Sequence, residues 1–137
     1  PMYSELFKYI EKQEGKEGVM KYWEYISDEY IGPSLGEAVK KNGLLGCFEY
    51  WSKSLNEESC DFVMTYDEDN KEFSIEMKKC PSKTMLNELK HIEPYHDYCR
   101  HCEVIYKRQV EKYGIIENGS DYTKTDAAMC CLRFKCK

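Results

Sequence analysis

The hydrophobic pattern of the chain changes at Cys60, and this change limits the possible folds more than any other feature of the sequence. After it, apolar and polar residues alternate, as they do along a strand with one buried face. Before it, apolar residues recur three and four positions apart, which is the spacing of one helix face. The clearest helical series is Val19, Met20, Trp23, Ile26 and Tyr30.

Residues 1–58 form the predicted helical part of the chain. The first helix is expected to stop near Gly15 and the second before Gly32-Pro33, because glycine and proline interrupt helices. A third, short helix and a fourth helix after Gly43 complete this part. The helical part is expected to serve either as a lid over the sheet or as the surface of a homodimer.

Residues 59–137 are predicted to fold as two strands, two helices and two further strands. A polar turn at residues 67–70 separates the first two strands, a short helix begins at Ser82, a longer one covers roughly residues 95–113, and the last strand covers residues 128–136. Helices packed on one face of an antiparallel sheet of about four strands, in the order ββααββ, make an α+β fold. The whole chain of 137 residues fits one domain.

Charge and hydropathy exclude several classes of partner. The net charge is −5 with no basic stripe, so a nucleic acid is not an expected partner. No apolar stretch approaches the roughly 20 residues of a membrane span, and no secretory signal is visible, so we expect a cytoplasmic protein. In a reducing compartment its eight cysteines indicate buried thiols, metal ligands or redox chemistry.

The strongest chemical motif is Cys99-x-x-Cys102, predicted near the start of the long helix, where both thiols point to one side. Thiols at this spacing can share a metal ion, form a disulfide or activate one another. Cys80 is predicted at the mouth of the preceding helix, and Cys130 shares a strand face with residues of the core. A fourfold site for zinc or iron would combine Cys99 and Cys102 with Cys80 and Cys130, and His96 or His101 could substitute for one of these ligands.

The remaining candidates have simpler alternative interpretations. His101 has the near-neutral pKa of a general acid or base, but it is also compatible with a solvent-facing helix residue paired with Asp97. Cysteine often behaves as a small buried hydrophobe. Packing is therefore the expected role of Cys47, Cys60 and Cys136.

Taken together, Cys80-Pro81, the Cys99–Cys102 helix ending at Tyr113-Gly114 and the closing Cys130-x-Leu132-Arg133-Phe134 resemble the L-2-amino-thiazoline-4-carboxylic acid hydrolase-like family over roughly residues 60–136. The resemblance implies a small bacterial α+β protein that opens a thiazoline ring by hydrolysis to an N-carbamoyl cysteine. It also implies that Cys80, Cys99 and Cys130 are the recurrent cysteines of the family. The acidic residue of the family pattern would correspond to Glu103, or a thiol takes its role.

The sequence therefore supports a hydrolase of a small cyclic C–N substrate as the first hypothesis. The cysteine cluster would supply a thiolate or a metal-activated water, and His101 or Glu103 would move the proton. The first alternative is a non-catalytic metal- or small-ligand-binding module with cysteine ligands. The second is a dithiol redox protein that uses a reversible Cys99–Cys102 disulfide.

Overall fold

The computed structural model describes residues 2–57 and 61–137, and within these ranges the chain has the predicted α+β architecture. The helical elements of the first part are α1 (Met2–Ile26), a π-helical segment (Ser27–Gly36), α2 (Glu37–Asn42) and α3 (Leu44–Glu57). The second part contains β1 (Asp61–Asp67), β2 (Glu72–Lys79), α4 (Pro81–Glu88), α5 (Arg100–Glu111), β3 (Ile115–Glu117), a 3-10 turn (Thr125–Ala127) and β4 (Cys130–Cys136). None of these helices is long and apolar enough to cross a membrane.

The predicted break at Gly15 is confirmed, but the predicted helix end before Gly32-Pro33 is wrong. Gly15 interrupts α1 with a φ of 77°, a value that glycine adopts without strain. The chain then runs through Pro33 in the π-helical segment, which buries Ile31 and Leu35 in the core. The burial of these side chains therefore offsets the loss of the backbone hydrogen bond that Pro33 cannot donate.

The long helix of the second part begins later than predicted, at Arg100 instead of residue 95. The residues before it form turns, in which the Tyr98 amide donates to the carbonyl oxygen of Tyr95 over 3.1 Å. The Tyr95 amide in turn donates to Oγ of Ser4 in α1 over 2.7 Å. This contact with the first helix holds the turn, and it leaves Cys99 at the N-cap of α5.

The sheet is antiparallel with the strand order β1-β2-β4-β3, and one of its faces carries the core. Phe73 of β2 lies opposite Phe134 of β4, and Trp51 of α3 stacks on both rings at centroid distances of 5.6 and 5.9 Å. The register continues so that Met77 lies opposite Cys130. The packing of helices on this single face matches the predicted arrangement of the fold.

Candidate functional site

A cavity of about 380 Å³ lies between the helices and the core face of the sheet. Its walls are mainly aromatic and aliphatic, and its volume lies in the range of small-molecule binding sites. α1 contributes Tyr3, Phe7 and Trp23 to the walls, so the N-terminal helix covers the cavity. This agrees with the lid expected from the sequence, while the homodimer stays a prediction.

The four cysteines of the predicted cluster all line this cavity. Cys80 follows β2 as the N-cap of α4, and its amide donates to the Ala128 carbonyl oxygen over 2.9 Å. Cys99 is the N-cap of α5, Cys102 lies one turn further along, and Cys130 opens β4. These cysteines are up to fifty positions apart in the sequence. The register of the sheet and the starts of α4 and α5 bring them to the same cavity.

The other cysteines have different surroundings. Cys47 is completely buried in the hydrophobic core and Cys136 packs against that core, as predicted, while Cys60 lies outside the described residues. Cys131 pairs with Glu76 on the opposite face of the sheet and does not line the cavity. Cys47, Cys99, Cys130, Cys131 and Cys136 are free thiols.

His101 lies in the cavity wall, so its interpretation as a solvent-facing residue paired with Asp97 is wrong. Its ring packs between Phe7 and Tyr98, at centroid distances of 5.3 and 4.6 Å. Because α5 begins only at Arg100, Asp97 lies in the preceding turn, where it forms an ion pair with Arg100 at 3.7 Å. The later helix start is the physical reason for the difference.

The hydrogen bonds of His101 define the roles of its two nitrogens. Nδ1 contacts the backbone carbonyl oxygen of Tyr98, and since a carbonyl only accepts, Nδ1 must carry the proton. Nε2 is then an acceptor, and Sγ of Cys102 lies 3.5 Å from it. A thiol, a base and a group that orients the base form the arrangement of an activated nucleophile.

Burial sets the protonation of the groups around this pair. Together with the neighbouring Cys102, it raises the pKa of the Cys99 thiol to about 11 and that of the Cys130 thiol to about 12, and burial is the larger cause. Burial lowers the pKa of His101, and the bond to the Tyr98 carbonyl offsets part of this effect. At neutral pH, Cys99 and Cys130 are therefore protonated, and His101 is a neutral imidazole able to accept a proton.

Glu103, the second candidate for proton transfer, lies outside the cysteine cavity. It lines a shallower groove together with Arg100, Lys107 and other charged residues of α5. His96 is exposed, and its Nε2 lies 3.1 Å from a carboxylate oxygen of Glu11. Among the candidate acid–base residues named from the sequence, His101 is the one that the structure places in the cavity.

Sequence reasoning missed Lys83, which lies in the cavity wall with 9% of its surface exposed. A signal for it does exist in the sequence, since a cation in the first turn of a helix opposes the helix dipole. Tyr98 also lies in the wall, with its hydroxyl 2.5 Å from the hydroxyl of Ser82. Its burial is expected of tyrosine, which has an apolar ring and one hydrogen-bonding group.

The four sulfurs do not form a recognisable metal site. Among the side chains of residues 2–55 and 61–137, no three of His, Cys, Asp or Glu are grouped so that they could hold a metal ion. The fold and the cavity thus define an α+β protein with an internal cavity of small-molecule size that contains a thiol–imidazole pair. No protein-family model, curated protein or solved structure matches the chain.

Proposed function

We propose that this protein is a thiol-dependent hydrolase of a small cyclic C–N substrate, with Cys102 as the nucleophile and His101 as the base. The observation that carries the proposal is the 3.5 Å distance between Sγ of Cys102 and Nε2 of His101. The Tyr98 carbonyl orients the imidazole for this contact. Thiol–imidazole pairs oriented by a third group are a common source of reactive thiolates.

The proposed reaction proceeds in two stages. The Cys102 proton moves to Nε2 of His101, and the sulfur adds to the electrophilic ring carbon. The imidazolium returns the proton to the ring nitrogen, the ring C–S bond breaks, and the substrate sulfur leaves as a thiol that takes its proton from the amidine group. Water then attacks the carbon bound to Cys102, and its oxygen stays on that carbon while the bond to Sγ breaks. One water proton goes to a neighbouring nitrogen of the substrate, and the other restores the Cys102 thiol.

Two other cavity thiols, Cys99 and Cys130, support this assignment by being poor competitors. The thiolate is the nucleophilic form of cysteine, and the raised pKa values keep Cys99 and Cys130 protonated at neutral pH. Phe7 and the other aromatic side chains of the wall place apolar surface beside the thiol–imidazole pair. An apolar environment strengthens the electrostatic interactions that act during proton transfer.

Thiol reactivity and turnover together test this proposal. We expect iodoacetamide to modify Cys102 faster than Cys99 or Cys130, as measured by mass spectrometry of peptides. His101→Asn should slow the Cys102 reaction by about a hundredfold, the scale of general base catalysis. Cys102→Ser should abolish the conversion of 2-aminothiazoline-4-carboxylate to N-carbamoyl cysteine, and Cys131→Ser should leave it unchanged. Turnover retained in Cys102→Ser would refute the proposal.

The two alternatives from the sequence use the same cavity. A non-catalytic ligand-binding module would bind small molecules equally well after Cys102→Ser and would turn none over. A dithiol redox protein would form a Cys99–Cys102 disulfide reversibly, because both thiols line one cavity. Turnover therefore indicates the hydrolase, and ligand binding without turnover indicates the binding module. A reversible loss of two free thiols indicates the redox protein.

A further inference from the structure

Lys83 is a buried cation at the cavity without an ion-pair partner in the described part of the chain. It lies in the first turn of α4, lines the cavity and is more than nine-tenths buried. No carboxylate of residues 2–55 or 61–137 lies within ion-pair distance of its ammonium group. A charge removed from water without a partner is strongly unfavourable, so we expect a negatively charged group to bind next to the Lys83 ammonium group.

The location of Lys83 at the start of α4 is a second reason to expect a negatively charged group there. The N-terminus of a helix carries a partial positive charge and backbone amides without helical acceptors. Cys80, Pro81 and Ser82 of the same turn also line the cavity. A negatively charged group near Lys83 would therefore interact favourably with both the ammonium group and the end of the helix.

A second wall of the cavity contains another polar group without a partner. Nε1 of Trp23 is buried and has no hydrogen-bond acceptor among the described residues, and Trp23 itself lines the cavity. Buried indole N–H groups normally find a partner. The mainly apolar walls thus contain one cation on α4 and one buried indole N–H on α1 that both lack a partner among the described residues.

We propose that the cavity binds a small, largely apolar molecule that carries one negative charge, and that Lys83 is the residue that recognises this charge. A single negative charge is specified because the described cavity wall offers one unpaired cation, and a second charge would stay uncompensated in an apolar space. The inference rests on the proposed function, since it names the charge of the substrate that reaches Cys102. It makes Lys83 a specificity-determining residue.

Matched ring compounds that differ only in charge test this inference. Cyclopentanecarboxylate, cyclopentanecarboxamide and cyclopentylphosphonate share one ring and present a single charge, no charge and up to two charges. Trp23 and Trp51 both line the cavity, so intrinsic fluorescence reports binding without any thiol reaction. We expect the carboxylate to bind about tenfold more tightly than the carboxamide, which corresponds to about 1.4 kcal/mol. The phosphonate should bind more weakly than the carboxylate.

Three variants show whether Lys83 is responsible. Lys83→Met should remove the preference for the carboxylate, and Lys83→Arg should keep it. Lys79→Met removes an exposed positive charge from the neighbouring strand and should leave the preference unchanged. Circular dichroism of each variant checks its fold. If Lys83→Met fails to fold, the comparison of the three ligands on the unsubstituted protein still tests the charge preference.

Equal binding of carboxylate and carboxamide, phosphonate binding as tight as that of the carboxylate, or an unchanged preference in folded Lys83→Met would each overturn the inference. The same titration of Cys102→Ser separates it from the proposed function. Carboxylate selectivity in a Cys102→Ser protein supports the Lys83 site whether or not the wild-type protein turns over any substrate. Turnover of neutral and anionic substrates at equal rates would retain the hydrolase and refute the role of Lys83.

Discussion

The hydroxyl groups of Ser82 and Tyr98 lie 2.5 Å apart, and their hydrogen bond joins the two segments that carry three of the cavity cysteines. Ser82 is in the first turn of α4, just after Cys80, and Tyr98 immediately precedes Cys99. Tyr98 also supplies the backbone carbonyl that orients His101. This one contact therefore helps to set the positions of the proposed nucleophile, the proposed base and the buried lysine.

Removal of the Tyr98 hydroxyl tests this structural role. Tyr98→Phe should lower the free energy of unfolding by about 1 kcal/mol, because it removes a partly buried hydrogen bond and leaves the Ser82 hydroxyl without that partner. Urea denaturation measures the change. Tyr113→Phe alters an exposed tyrosine just after α5 and serves as the matched control. Equal effects of the two substitutions would show that the Ser82–Tyr98 bond contributes nothing.

The buried imidazole of His101 predicts a loss of stability in mild acid. Its folded-state pKa is lowered from 6.5, chiefly by burial, so below pH 6.5 the unfolded chain binds a proton that the folded chain resists. The stabilising contribution of this residue is present above pH 6.5 and is lost as the pH falls through the lower, folded pKa. Urea denaturation at pH 7.5 and pH 5.5 measures the difference.

Two glutamine variants identify the group responsible for this pH dependence. His101→Gln should reduce the difference in unfolding free energy between the two pH values. His96→Gln changes an exposed histidine and should leave most of the difference in place. If the pH dependence disappears with His96→Gln and persists with His101→Gln, the buried imidazole is not its source.

Ser27 holds the π-helical segment to α5 through two buried hydrogen bonds. Its Oγ donates to the Ile105 carbonyl oxygen over 2.6 Å and accepts from Nε2 of Gln109 over 2.9 Å. Ser27→Ala should lower the free energy of unfolding by about 1–3 kcal/mol, since it leaves the buried Gln109 amide without one partner. Ser34→Ala, at an exposed serine of the same segment, should cost clearly less. Thermal denaturation ranks the two variants.

Metal content separates the thiol hydrolase from the metal-binding alternative. The proposed role of Cys102 needs no metal, so protein purified without added metal should hold well under one equivalent of zinc or iron. Inductively coupled plasma mass spectrometry, with titration of free thiols, measures both quantities. One equivalent of metal that is lost with Cys80→Ser and with Cys130→Ser would instead favour the cysteine-ligand module.

Local sequence patterns were sufficient to predict the architecture. The change from helical to alternating spacing predicted a helical part followed by a sheet, and the structure confirms the order ββααββ. The face that Cys130 shares with residues of the core predicted that it points inward, and its register opposite Met77 confirms this. These features follow from the periodicity of apolar side chains, which depends only on the residues of each strand or helix.

Contacts between distant segments explain the features that the sequence did not predict. α5 begins at Arg100 and not at residue 95 because the turn before it is bonded to Ser4, ninety-one positions away from Tyr95. The same turn brings His101 against Phe7 of α1, where sequence spacing favoured a partner in Asp97. A pattern within a short stretch of sequence does not predict which distant segment of the chain will pack against a given turn.

The sequence by itself determined the elements, the inward face of the last strand and the candidate cysteines, because side-chain periodicity is a local property. Only the tertiary structure decided that Cys102 meets a neutral His101 and that Lys83 is buried in the wall of the same cavity. Burial and partner geometry depend on which distant segments pack around a side chain. The proposed reactivity of the thiol and the proposed charge of its ligand therefore depend on the folded cavity.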